Sequence, residues 1–157
     1  MTKYKIKWQN GEMDTATFES HLATIEKQGY CIIENAIEPE LLLEMTETVK
    51  RLEAELDVQP RGNRAEGFAT KRMYNLLGKD RAFWKLPTHV NVLPFAESLL
   101  DNECLLSGTT CMNIGPGEVH QGLHSDDGLV SVKRPREPFM VTSIWALTDF
   151  TEENGAT

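Results

Sequence analysis

Two of the chain's four histidines fall in one short polar stretch, Glu118-Val119-His120-Gln121-Gly122-Leu123-His124-Ser125-Asp126-Asp127-Gly128. Within it, His124-Ser125-Asp126 sets an imidazole and a carboxylate two residues apart. On extended chain, residues i and i+2 share a face. Both groups could then grip one metal ion. A neutral nitrogen and an anionic oxygen suit Fe(II), and two histidines with one carboxylate form a facial triad that leaves positions open for substrates. The third ligand would be another histidine. His120 and His124 offer a different pairing, four apart, which on a helix would suit a zinc hydrolase. Gly117, Gly122 and Gly128 argue against a helix there. His21 and His89 have no ligand spacing, and His21 is expected to be exposed on a helix.

The elements that must position this triplet fit one domain of 157 residues. Apolar residues make up 40% and charged ones 25%, the balance of an ordinary globular protein. Lys and Arg number 16 against 24 Asp and Glu, so the net charge of −8 speaks against a nucleic-acid surface. No apolar run approaches the roughly 18 residues of a membrane helix, and the first residues lack a signal peptide's apolar core. Cys31, Cys104 and Cys111 are an odd set without CxxC spacing. They read as free thiols in a reducing cytoplasm.

The first half reads as helical. Phe18, Leu22 and Ile25 predict a helix over 14–28, stopped by Gly29. Tyr30–Glu34 predicts a short strand. Glu38-Pro39-Glu40 opens a second helix, whose stripe is Leu42, Met45, Val49, Leu52 and Leu56. Residues 57–70 read as a loop, and 91–101 as a further helix. From Cys104 the pattern turns to strands. One or two lie within 104–114, ending at the turn Gly115-Pro116-Gly117. A short apolar piece follows over 129–132, and a long strand over 139–147. Asn154-Gly155 is a hairpin signal. The expectation is a single α+β domain over 1–157, helical over about 14–101 and strand-rich over about 104–157, incomplete at its C-terminus.

Three blocks resemble the phytanoyl-CoA dioxygenase family, in the family's order. The first runs from Gly29-Tyr30 through Ile32-Ile33-Glu34-Asn35-Ala36 to Pro39-Glu40-Leu41-Leu42. The second is Ile114-Gly115-Pro116-Gly117-Glu118 with Gln121-Gly122-Leu123-His124-Ser125-Asp126-Asp127-Gly128. The third is the stretch from Ile144-Trp145 to Thr157. The resemblance implies helices packed on a double-stranded β-helix, a cupin-like jelly roll, here cut before its last strands. It implies an Fe(II)- and 2-oxoglutarate-dependent dioxygenase that uses O₂ to hydroxylate a small molecule, releasing succinate and CO₂. His124 and Asp126 would be the first two iron ligands. Met112, Asn113 and Trp145 would border the 2-oxoglutarate pocket, and Lys71 would reach the cosubstrate. Loops over 60–80 and 133–138 would border the substrate mouth.

The family's distal histidine and its 2-oxoglutarate-anchoring arginine would lie beyond Thr157. The chain alone is therefore expected to be inactive, and to self-associate by strand swapping. A small molecule is the expected partner, without nucleic acid or membrane. A different class, a non-catalytic jelly-roll binding module, is the alternative, although it has no need of both His124 and Asp126. A halogenase would replace the carboxylate ligand, which Asp126 retains.

Overall fold

A computed structural model describes residues 13–154. They gather into two compact units. The first contains residues 13–38, Lys85–Leu106 and Val132–Ser143; the second contains Pro39–Trp84, Ser107–Ser131 and residues 144–154.

In the first unit, helix α1 spans Thr15–Gln28. Asp14 caps its start, accepting from the Thr17 N–H at 3.0 Å and the Thr17 hydroxyl at 2.6 Å. Gly29 ends it at φ +89°, its N–H donating to the Ile25 carbonyl at 2.7 Å. The buried ring of Phe18 packs 4.6 Å from that of Phe95, on a seven-residue helix at Leu93–Leu99. His21 is half-buried rather than exposed, because it stands edge-on to the same Phe95 ring at 6.4 Å. His89 is buried. Its Nδ1 accepts from the Asn91 N–H at 3.1 Å, and its Nε2 faces Glu38 Oε2 at 3.4 Å. It is a satisfied core histidine, which agrees with its lack of ligand spacing.

In the second unit, helix α2 spans Pro39–Glu55. Its buried stripe is Leu41, Met45, Thr48, Val49 and Leu52. Leu42 is only half-buried and Leu56 is half-exposed, so the stripe lies a fraction of a turn from the expected one. Leu56 follows the last helical residue, and Asp57 then turns to φ 45°, which carries the chain off the packed face. Among the described residues, Met45 and Phe83 are the largest fully buried side chains, and α2 packs on the 3₁₀ turn Arg81–Phe83 that carries Phe83. Asp80 caps that turn through the Ala82 N–H at 2.8 Å and holds Arg51 of α2 at 2.6 Å.

Strands β1 (Lys71–Tyr74) and β2 (Thr110–Asn113) pair antiparallel, Lys71 opposite Asn113 and Tyr74 opposite Thr110. The mixed helix-and-sheet content agrees with an α+β fold. A jelly roll needs two multi-stranded sheets; among the described residues there is one sheet, of two strands. The strands expected at 30–34 and 139–147 are irregular chain, as is the apolar piece at 129–132, and β1 arises where none was expected. A strand exists only by its ladder, and the apolar residues of those stretches are largely exposed, among them Ile32, Leu129 and Ile144. The Asn154-Gly155 signal lies partly outside the described residues. No helix among the described residues is long and apolar enough to cross a membrane.

The packing sets a stability test. Phe83→Ala should cost about 3–5 kcal/mol and Met45→Ala about 2–5 kcal/mol, whereas Leu56→Ala should stay within roughly 0.5 kcal/mol. Urea unfolding curves read all three.

Candidate metal centre

The chain leaves β2 at Ile114 and turns through Gly115-Pro116-Gly117 into the histidine-bearing stretch. Its path is fixed by the carboxylate of Glu118. Oε1 accepts the Phe68 N–H at 3.1 Å and the Val119 N–H at 2.9 Å. Oε2 accepts the Ala69 N–H at 2.8 Å and the Thr70 hydroxyl at 2.7 Å. Four donors on one carboxylate stabilise its charged form, and the Thr70 hydroxyl and Ala69 amide do most to hold its pKa down to about 2, against 4.5 ordinarily.

Two glycines make the approach possible. At Gly67, φ is +103° and an added Cβ would lie 2.5 Å from Glu118 Oε2. At Gly115 it would lie 2.5 Å from the Ala69 carbonyl, which accepts the Gly115 N–H at 3.2 Å. Three residues beyond Glu118, the Gln121 amide donates to the Ala65 carbonyl at 3.0 Å.

His124 and Asp126 follow on irregular chain entering a turn, not on a helix. The structure brings the two together: His124 Nε2 lies 3.3 Å from Asp126 Oδ1, each side chain about half exposed, at 54% and 51%. The other ring nitrogen, Nδ1, is 2.9 Å from the Gly122 carbonyl. A carbonyl oxygen only accepts, so Nδ1 carries the proton and donates it. In the neutral ring, Nε2 then aims a lone pair at a carboxylate oxygen. Such a contact is repulsive unless a cation lies between the two atoms. A proton would serve, and so would a metal ion: adjacent donors about 2.1 Å from one octahedral ion stand about 3 Å apart. A ring N–H donated to a backbone carbonyl is also the usual setting of a metal-binding histidine. The residues present thus fit two donors of a metal site. Among the described residues, no three His, Cys, Asp or Glu side chains are gathered to hold an ion.

The other expected site residues fall into separate groupings. Lys71 and Asn113, opposite each other in the ladder, meet on Glu53 of α2. Asn113 donates to Oε1 at 2.8 Å and Lys71 Nζ lies 3.6 Å from Oε2. Met112 lies on the other face, its sulfur accepting from Arg72 Nη1 at 3.2 Å. Trp145 is half-buried in irregular chain. His120 is exposed, four residues before His124 on non-helical backbone, so the zinc-hydrolase pairing has no helix to stand on.

All three cysteines are free and half-buried. Burial, with Glu53 nearby, pushes the Cys111 thiol up to about 11, so it stays protonated at neutral pH.

Sequence reasoning passed over Glu118 as one acid in a polar stretch. Its only local signal was a carboxylate placed directly after a Gly-Pro-Gly turn.

Comparison with known proteins adds the rest. The family profile described as phytanoyl-CoA dioxygenase matches residues 25–157. Dioxygenase olcK of Penicillium canescens is 29% identical over 157 aligned positions, covering 91% of this chain and 52% of that protein. Dioxygenase af480 of Aspergillus fumigatus is 35% identical over 77 residues, 48% of this chain and 25% of that protein. The chain therefore spans about half of the one relative, and aligns with a quarter of the other. No solved structure matches it significantly.

The clamp around Glu118 titrates in a stated direction. Its pKa is lowered on folding, so its contribution is complete above the ordinary 4.5 and is lost as pH falls through about 2. The amide resonances of Phe68, Ala69 and Val119 should hold steady from pH 7 to 5 and move together below 4.5, towards a midpoint near 2. Gly67→Ala should destabilise the chain by more than about 1 kcal/mol and speed hydrogen exchange at Ala69; an unchanged unfolding midpoint would contradict the close approach.

Proposed function

We propose a chemistry from one premise: the chain belongs to the phytanoyl-CoA dioxygenase family. The reading is an Fe(II)- and 2-oxoglutarate-dependent oxygenase that hydroxylates a small molecule. Its scaffold is a jelly roll, of which this chain carries the helical part and the first strands. Relatives named dioxygenases support an oxygenase. The observation that carries the finer reading is the facing pair, His124 Nε2 and Asp126 Oδ1, 3.3 Å apart.

In this reading, Nε2 of His124 and the Asp126 carboxylate hold Fe(II). Iron held there would supply the redox chemistry by which 2-oxoglutarate and O₂ become succinate and CO₂ while a substrate C–H becomes C–OH. The chain's own work is orientation. The Gly122 carbonyl fixes the ring through Nδ1–H and leaves Nε2 as the donor. Asp126 supplies the anionic ligand that a halogenase would lack. Of the residues expected around the cosubstrate, Asn113 and Lys71, whose ammonium would meet one of its carboxylates, share one face of the ladder, and Met112 lies on the other. A third histidine and the cation for the far carboxylate come, in this reading, from chain beyond Thr157, consistent with the greater length of the relatives.

The test is succinate formation with Fe(II), 2-oxoglutarate and ascorbate. The 157-residue chain should give little or none, because a site lacking its third ligand and cosubstrate anchor is loose by more than the roughly 1 Å that catalysis tolerates. A longer protein carrying a distal His and Arg should turn over. His124→Ala or Asp126→Ala in that protein should cost more than the roughly 10–100-fold that loss of an outer hydrogen-bond partner costs. A longer protein that binds Fe(II) but neither hydroxylates nor decarboxylates 2-oxoglutarate favours the binding module instead.

A further inference from the structure

We infer that Glu118 is a positioning residue for the metal-binding pair, acting through the backbone that carries His124; this rests on the metal-site reading above. Glu118 is not itself a candidate ligand, because both its oxygens are spent on four donors.

Those donors belong to a braced loop. Asn63 and Gly67 exchange backbone hydrogen bonds at 2.9 and 3.3 Å, and Asn63 Oδ1 accepts the N–H groups of Ala65 and Glu66. Arg72 Nε, on β1, donates to the Glu66 carbonyl at 2.7 Å, and Tyr74 donates its hydroxyl to Glu66 Oε1 at 2.6 Å. The loop is therefore tied to the strand that follows it. Glu118 and Gln121 fasten the histidine-bearing stretch to that loop, six and three residues ahead of His124. Directly after Gln121, the Gly122 carbonyl takes the His124 Nδ1–H at 2.9 Å, so the ring is tied to the fastened stretch. The two fastenings thus set where the pair stands.

The geometry also ranks the variants. In Glu118→Gln, placing the amide oxygen at Oε1 keeps the Phe68 and Val119 bonds. The Thr70 hydroxyl then rotates to accept from the new NH₂, and only the Ala69 bond is lost. Glu118→Ala loses all four. Thr70→Val removes the hydroxyl alone.

The experiment is a cobalt(II) titration of the 157-residue chain near pH 7, read by calorimetry and visible absorption, beside urea unfolding of every variant. Wild type should bind, and His124→Ala should abolish the absorption. Glu118→Ala should weaken binding about 10- to 100-fold, with Glu118→Gln and Thr70→Val between it and wild type. The urea midpoints of the Gln and Val variants should remain close to wild type. Unchanged cobalt affinity in Glu118→Ala and Glu118→Gln overturns the inference and leaves the metal site standing. Affinity that falls only in step with the urea midpoint also overturns it, since the role is then merely structural. A wild-type chain that binds no cobalt, or a His124→Ala variant that binds it equally, overturns the metal-site reading and the inference with it.

Discussion

The Glu118 carboxylate does the work of a missing strand. The β1–β2 ladder begins at Lys71 opposite Asn113, and one further bond, from the Gly115 N–H to the Ala69 carbonyl, prolongs it. There β2 turns away, and the half-buried Ala69 N–H loses its sheet partner beside the more exposed N–H of Phe68. Backbone donors away from water must be paired. The turn at Gly115-Pro116-Gly117 returns Glu118 over that edge, and one anion takes both donors, the Thr70 hydroxyl and its own neighbour's N–H. Thr70 is buried, so no water could serve it as well. Hydrogen bonds to an ionised acceptor are roughly twice as strong as neutral ones. That is why an acid, and not a threonine or asparagine, suits this position.

The same economy holds on both faces of the ladder. On one, Glu53 of α2 takes Asn113 and Lys71; on the other, Glu66 takes Tyr74 and Asn63. At 3.6 Å and partly exposed, the Lys71–Glu53 pair contributes at most about 1 kcal/mol as an ion pair. The short bond from Asn113 to the same carboxylate is the better-made contact. The chain's acidic surplus is thus partly structural: three of its carboxylates bind neutral donors that long-range chain pairing leaves beside them.

What was legible in the sequence follows from range. Helix α1 announces itself locally, through Phe18, Leu22, Ile25 and the stop at Gly29, and α2 through its stripe, although spacing alone did not choose Leu41 over Leu42. The approach of His124 to Asp126 was legible because the two are neighbours in sequence. Strand β1 was not, since Lys71-Arg72-Met73-Tyr74 buries only Met73 and shows no apolar alternation. The reverse error came at 139–147, where apolar and β-branched residues are dense but no ladder forms. Glu118 was invisible for a different reason: three of its four partners lie 48–50 residues away.

The facing of Nε2 and Oδ1 explains why a pair of donors makes only a weak site. Once Gly122 has claimed the Nδ1 proton, the gap between His124 and Asp126 favours a cation, but a proton and a metal compete for the same lone pairs. Half exposure leaves both donors to water, which dulls their attraction for either. A third ligand changes the contest in one direction only. A proton is satisfied by two acceptors and gains nothing from another, whereas a metal ion gains a full bond and the geometry that fixes it. The local backbone therefore pre-aims two donors, and a metal ion would outcompete a proton there only with a further ligand beside them.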